Sequence, residues 1–283
     1  MRNIFPIACY LMMFACSSPS SNVESGERTI ITAGGTITEI VHELGFGSII
    51  IATDITSTFP ANMQDLPSIG YRNQIKAEGI LSMNPDLLLI ETGYLTEDVL
   101  SQLKSTGIEI QQFEKPVDLP GTFKIIGELA DFLGVPEKGE ELSENLRMDI
   151  RALEEYTAGI TDRPKMAFVM ARGLETVFIA GEDTFAESLF DLAAIESVGR
   201  GFKDFVPLTP EALVSMNPDY LLFFESGLQS LGGNDGVKQI RGIEQTNAFT
   251  NNGILAFDGL YLSGFGPRIG KAALELAKSA HKK

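Results

Sequence analysis

Two residue types that carry much of enzyme chemistry are almost missing from this chain. Its 283 residues hold two cysteines and two histidines. Both cysteines, Cys9 and Cys16, lie at the extreme N-terminus. The body of the chain therefore has no thiol, which excludes disulfides, CxxC metal sites and cysteine nucleophiles there. His42 falls within a helical stretch and His281 in a basic tail, so a three-ligand zinc site or a Ser-His-Asp triad would have to rest on one of these two. That scarcity argues against most hydrolases, and no enzymatic activity is expected. Positive charge is also in short supply. Lys and Arg number 22 against 38 Asp and Glu, a net charge of -16, which argues against a nucleic-acid backbone as partner. A small anionic ligand is not excluded, because it answers to local charge.

A long hydrophobic run is missing too. Ile4 to Ala15 is apolar but too short to span a bilayer as a helix. It follows a weakly basic Met1-Arg2-Asn3 and ends at Met13-Phe14-Ala15-Cys16, after which comes Ser17-Ser18-Pro19-Ser20-Ser21. A small residue before a cysteine, then a serine-rich tether, is the pattern of a bacterial lipoprotein signal with lipidation at Cys16. A plain secretory signal with an incidental cysteine is the alternative. The expected boundaries are a signal peptide over 1–15 and a tether over 16–27.

What the chain does have is a repeat. Glu78-Gly-Ile-Leu-Ser-Met-Asn-Pro-Asp-Leu-Leu-Leu-Ile90 recurs as Glu211-Ala-Leu-Val-Ser-Met-Asn-Pro-Asp-Tyr-Leu-Leu-Phe223, with eight of thirteen positions identical and no gap. Each copy predicts a short helix that stops before Asn-Pro, because proline disfavours helix in the residue before it. A near-continuous apolar run follows, as in a strand buried on both faces. One such unit in each half implies two similar lobes with a cleft between them.

The remaining pattern alternates strand and helix, which implies mostly parallel α/β sheets. Strands are predicted over 28–32, 49–52, 165–170, 177–180 and 253–258. Thr36 and Glu39 read as a capping box opening a helix over 37–44 that stops at Gly45, and Thr184 and Glu187 read as a second box opening a helix to about Leu192. Val177 to Glu187 thus looks like a second copy of the first strand, turn and helix. Leu231 to Gly236 reads as a turn-rich loop, and the last helix is predicted over 269–281. Between the halves lie helices over 123–133 and 137–156, broken at Gly134-Val135-Pro136. About twenty residues at ~1.5 Å each make a rod of ~30 Å, a stiff strut rather than a free linker. The expected division is an N-terminal lobe over 28–118, a helical connector over 119–160 and a C-terminal lobe over 161–283.

A chain of this design resembles the class III substrate-binding proteins of bacterial ABC importers, which handle haem, cobalamin and ferric siderophores. The resemblance runs from Arg28 to the C-terminus. It sharpens on the haem-binding, HmuT-like branch through three segments: Leu66-Pro-Ser-Ile-Gly-Tyr-Arg72, Ala77-Glu78-Gly79 and Leu260-Tyr-Leu-Ser-Gly-Phe-Gly-Pro-Arg268. The implied fold is two Rossmann-like lobes joined by a long interdomain helix. The implied function is capture of haem in the cleft and delivery to an ABC permease dimer with its ATPase. Haem is then cargo, with no catalytic cofactor, and the protein is a monomer held to the membrane only by its lipid anchor, on the periplasmic side or at the cell surface. A cobalamin or ferric-siderophore carrier of the same class is the alternative, and a haem-degrading or chelating enzyme is a rival of another class.

The resemblance also assigns residues. Tyr71 corresponds to the tyrosine that ligates haem iron. A phenolate is a hard anionic donor suited to ferric iron; the residue alone reads rather as a ring packed in a loop, and the resemblance reverses that. The branch usually carries an arginine two positions after the tyrosine, whereas here Arg72 is adjacent and Asn73 holds that place. In an extended loop neighbours point to opposite sides, so either Arg72 or Asn73 is the candidate contact to the phenolate. Arg172 and Arg268 are candidates for the haem propionates, since an arginine fork suits carboxylates. Arg268 reads equally as a helix cap or a partner for surface acids. Phe265 and Phe59 are candidates to lie on the porphyrin face. Glu78 and Glu211 occupy matching places in the repeat and correspond to the acids that dock on permease arginines. For Glu211 a helix start at Thr209-Pro210 gives a second explanation, because an acid there complements the helix dipole.

Overall fold

A computed structural model describes residues 28–281. The N-terminal lobe alternates β1 (Ile30–Ala33), α1 (Gly35–Val41), β2 (Ile50–Thr53), α2 (Ala77–Leu81), β3 (Leu87–Glu91), α3 (Glu97–Ser105) and β4 (Glu109–Phe113). Its four strands form a wholly parallel sheet in the order β2-β1-β3-β4. Every residue of β3 is buried, as the unbroken apolar run requires of a strand covered on both faces. Two helices follow, α4 (Leu119–Phe132) and α5 (Pro136–Thr157). Asp118 caps α4 by accepting from the Gly121 N–H at 2.8 Å, so this helix begins earlier than the apolar pattern suggested.

The C-terminal lobe contains β5 (Lys165–Ala171), β6 (Val177–Ala180), α6 (Phe185–Leu192), β7 (Glu196–Ser197), β8 (Phe205–Pro207), α7 (Pro210–Met216), β9 (Tyr220–Phe224), α8 (Glu225–Ser230), α9 (Asn234–Val237), α10 (Asn247–Thr250), β10 (Ile254–Phe257), α11 (Gly259–Ser263) and α12 (Ile269–Ala280). The sheet order is β10-β9-β5-β6-β8, with β7 beside β5. The repeat folds as read: α2 and β3 match α7 and β9. Asn84 and Asn217, each before a proline, take left-handed backbone at φ 49 and 40, a conformation Asn tolerates better than most residues.

Three expectations need correction. β6 is not a second β1. It pairs antiparallel with β5, because the turn from Arg172 to Thr176 is too short for the crossover that parallel pairing needs. The counterpart of β1 is β5, which pairs parallel with β9 as β1 pairs with β3. The Thr36/Glu39 capping box does not form. Gly34 takes the N-cap place, the Thr36 hydroxyl donates to the Gly264 carbonyl at 2.6 Å, and Glu39 turns to Arg268. In the second box the Thr184 hydroxyl donates to the Gly181 carbonyl at 2.8 Å, and Glu187 accepts from the Asp183 N–H at 2.9 Å. Gly45 does end the first helical run, at φ 94, though the run closes through a wider turn over His42–Phe46. The segment read as a loop at Leu231–Gly236 turns at Gly232 and Gly233, both at positive φ, and then enters α9.

The interior does not divide cleanly between lobes. One apolar cluster joins Ile37, Ile40 and Leu89 of the first lobe to Leu146 and Leu153 of α5, to Leu276 of α12 and to Phe168 and Phe190 of the second lobe. Helix α5 packs on α4 and on α12. Close approach is set by small residues: a Cβ on Gly270 of α12 would lie 2.8 Å from Cβ of Asp149 and 3.1 Å from the α5 backbone.

Candidate functional site

In open α/β sheets the carboxyl ends of the strands are where ligands bind, and Tyr71 lies at that edge of the first lobe. The chain leaves β2 at Thr53 and returns to run parallel beside its end, with the Ile69 N–H donating to the Thr53 carbonyl at 2.8 Å and the Ile55 N–H to the Gly70 carbonyl at 3.1 Å. Tyr71 is extended, at φ -130, and half-buried. A tight turn follows over Arg72–Gln74, closed by the Gln74 N–H on the Tyr71 carbonyl at 2.9 Å.

Arg72 has φ 41. The alternation of an extended loop therefore breaks at this residue, and its guanidinium swings back over the Tyr71 ring, 5.8 Å from the centroid, and over the Tyr94 ring at 4.9 Å. Asn73 is exposed. No ion pair engages Arg72 among the described residues.

Beneath this loop lies a polar floor that sequence reasoning missed. Asp54 is buried and accepts from the Gly34 N–H at 3.0 Å, the Thr56 N–H at 2.8 Å, the Ser57 hydroxyl at 2.7 Å, the Thr56 hydroxyl and the Tyr94 hydroxyl. Burial, reinforced by the Asp54 charge and hydrogen bond, pushes the Tyr94 phenol far above its ordinary range, so it stays protonated as the donor. Glu91, at the end of β3, is also buried. Desolvation raises its carboxyl above the usual range, opposed by Lys115 and Arg72 and assisted by Asp54. Its side chain fills the space a Cβ on Gly34 would need, at 2.5 Å, which with φ 107 explains why glycine stands there. The signal for Asp54 and Glu91 was available: Glu91 directly follows a predicted apolar strand and Asp54 stands two residues past another, at the edge where sites form.

The other candidates separate. Arg172 leaves β5 at the corresponding edge of the second lobe. It is exposed and without an ion-pair partner among the described residues. Leu174 beside it is 42% exposed, and Ile55 on the Tyr71 side is 59% exposed. Arg268 instead makes a two-pronged pair with Glu39, Nε to Oε1 at 2.7 Å and Nη2 to Oε2 at 3.0 Å, and its guanidinium lies 3.6 Å over the Phe59 ring and 5.1 Å from that of Tyr261. Glu39 is only 2% exposed, and burial raises its carboxyl despite Arg268. Phe265, the other porphyrin-face candidate, is 0% exposed: its ring packs in the core, and its carbonyl accepts from the Thr122 hydroxyl at 2.7 Å. Phe59 is half-buried under Arg268.

Glu78 and Glu211 are exposed, each the second residue of its helix. Thr209 caps α7 by accepting from the Ala212 N–H at 3.2 Å, whereas α2 has no side-chain cap. Cys16 lies outside the described residues, as do the predicted signal peptide and tether. Among the described residues no helix is long and apolar enough to cross a membrane, and no group of three His, Cys, Asp or Glu side chains is placed to hold a bare metal ion. Two surface concavities, of about 620 and 300 Å³, are lined around Pro164 and His281 and around Pro85 and Gly107. Both lie at the amino ends of the sheets, away from Tyr71.

Two lobes of parallel-rich sheet, a long helix between them and a partly open polar site at the strand ends define a substrate-binding component of an ABC importer. Residues 30–259 match the family described as periplasmic binding protein, and the chain belongs to it. The periplasmic haem-binding protein RhuT of Roseiflexus sp. RS-1, in apo form, is 33% identical, with 90% of this chain and 98% of that one covered and a TM-score of 0.87. The haem-binding protein BhuT, solved with two haems, is 29% identical over 90% of this chain and 98% of its own, with a TM-score of 0.84. Among curated relatives, the uncharacterised ABC transporter substrate-binding lipoprotein YvrC of Bacillus subtilis (strain 168) is 22% identical over 94% of this chain and 83% of its own length.

Proposed function

We propose that this protein captures ferric haem between its lobes, with Tyr71 as the iron ligand, and hands it to an ABC permease. One observation carries the reading. A half-exposed tyrosine stands at the carboxyl edge of the first lobe with an arginine free of ion pairs across its ring. The likeness of the whole fold to haem-binding proteins supports it. Ferric iron favours a phenolate ligand, and a cation beside the oxygen favours the anion further. Arg172, with its fork uncommitted, receives a propionate. Arg268 has two donors committed to Glu39, so its part is to hold the cleft wall and the Phe59 ring in place. Glu78 and Glu211 dock on the permease subunits, and Cys16 carries the lipid that keeps the protein at the outer face of a membrane.

Cobalamin is the second reading, because vitamin B12-binding proteins of Vibrio campbellii and Photorhabdus laumondii are 22% and 26% identical over 78% and 58% of this chain. Cobalamin has no need of a protein phenolate, so Tyr71 separates the two. Ferric haemin added to the soluble body should give a five-coordinate, high-spin spectrum with a phenolate charge-transfer band. Tyr71→Phe should lose that band with unchanged circular dichroism. A mutant spectrum identical to wild type would remove Tyr71 as ligand, and cobalamin binding without haemin binding would replace the cargo.

A further inference from the structure

Arg72 stands in left-handed backbone, a conformation that a non-glycine residue adopts only where its surroundings hold it there. No carboxylate among the described residues holds it there by an ion pair. What faces its guanidinium is aromatic: the Tyr94 ring at 4.9 Å and the Tyr71 ring at 5.8 Å. A cation over a ring is attracted by the ring's negative face. Tyr94 is itself enclosed. It is 2% exposed, its hydroxyl donates to Asp54, and the Thr56 hydroxyl lies 3.2 Å away. Asp54 is fixed in turn by backbone N–H groups of Gly34 and Thr56. A continuous set of contacts therefore runs from a buried carboxylate to the side chain beside the candidate ligand.

We infer that Tyr94, anchored by Asp54, is a positioning residue that holds Arg72 beside Tyr71 and so sets how strongly the phenolate donates to iron. This rests on the haem reading above. The register of the loop motivates it, because an arginine adjacent in sequence to an extended tyrosine would otherwise point away. The left-handed turn at Arg72 and the buried ring together bring the charge back. Other charges near the pair are Asp54 after β2, Glu91 at the end of β3 and Lys115 beyond β4.

A cation near the phenolate lowers its filled orbitals. That raises the energy of charge transfer to ferric iron and weakens donation. Removing the aromatic support should do the opposite. In Tyr94→Leu the charge-transfer band should move to longer wavelength and the ferric/ferrous midpoint potential should fall. Tyr94→Phe keeps the ring face but loses the hydroxyl that anchors it on Asp54, so its band and potential should move in the same direction by a smaller amount. In the haem-free protein, NMR should find the Arg72 guanidinium protons displaced upfield by the ring in wild type and Tyr94→Phe, with most of that displacement lost in Tyr94→Leu.

An unchanged band and potential in Tyr94→Leu, or equal changes in the Leu and Phe variants, overturns the inference. Should Tyr94→Leu not fold, Arg72→Gln is the substitute. It lies at the surface of the loop and should reproduce the red shift and the lower potential, and an unmoved band there overturns the inference as well. A wild-type spectrum with no phenolate band removes the haem reading and the effect on donation with it. The ring-current comparison, made without haem, then still decides whether Tyr94 holds Arg72.

Discussion

Arg268 and Glu39 lie 229 positions apart and form the most enclosed ion pair of the described structure, with side-chain exposures of 23% and 2%. Taking a carboxylate out of water is costly unless its partner stays. Arg268→Ala should therefore cost about 3–5 kcal/mol in unfolding free energy, read by denaturant titration at neutral pH. The pH dependence has a definite sign. Burial already holds the Glu39 carboxyl above the range of an unfolded chain, so the folded state binds the proton more tightly, and stability falls as pH rises through that interval. Removing Arg268 takes away the stabiliser of the anion, which widens the interval. The variant should lose more stability than wild type as pH rises above the ordinary carboxylate range, and equal pH slopes for the two proteins would refute this account.

The helix-strand unit repeated at α2–β3 and α7–β9 was legible because its signals are local: an apolar run of strand length and an Asn-Pro stop. The edges of the C-terminal sheet were less so. The strand at Val177–Ala180 was found in place, but which neighbour it pairs with, and in which direction, depends on the turn at Arg172–Thr176 and not on the strand's own residues. Contact between elements has its own requirement. Helix α12 approaches α5 at Gly270, where any side chain meets the α5 backbone. Gly270→Leu should push the helices apart and destabilise the protein by about 1–3 kcal/mol, as overpacking does. Thermal unfolding would show it, and a melting point equal to wild type would mean that α12 can shift without loss.

For the molecule as a whole, α5 runs 22 residues between the lobes, with α4 and α12 along its sides and one apolar cluster continuous through it. Closing the lobes widely would bend the helix against its hydrogen-bond ladder and open that cluster. Haem binding should then change the radius of gyration by no more than about 1 Å in small-angle scattering, and a larger fall at constant monomer mass would show that α5 does not act as a strut. The exposed glutamates at matching helix positions bear on the partner. Glu78→Lys with Glu211→Lys should slow association with the permease on the order of tenfold at low salt and leave haem affinity unchanged. Undiminished transport in reconstituted vesicles would end the docking assignment.

The sequence by itself determined that there are two lobes of α/β sheet, that a long helix joins them, and that the body has no thiol to use. Those properties follow from composition and from patterns that repeat every two or 3.6 residues, which a chain carries whatever its final packing. Only the tertiary structure decided that Glu39 and Arg268 pair rather than cap helices, that Phe265 is core, that Asp54 anchors Tyr94, and that Arg72 turns back over Tyr71. Each depends on side chains brought together from separate elements, or on one residue entering left-handed backbone. No local period encodes such a meeting, because its free energy arises only once the lobes have packed and water has left the groups concerned.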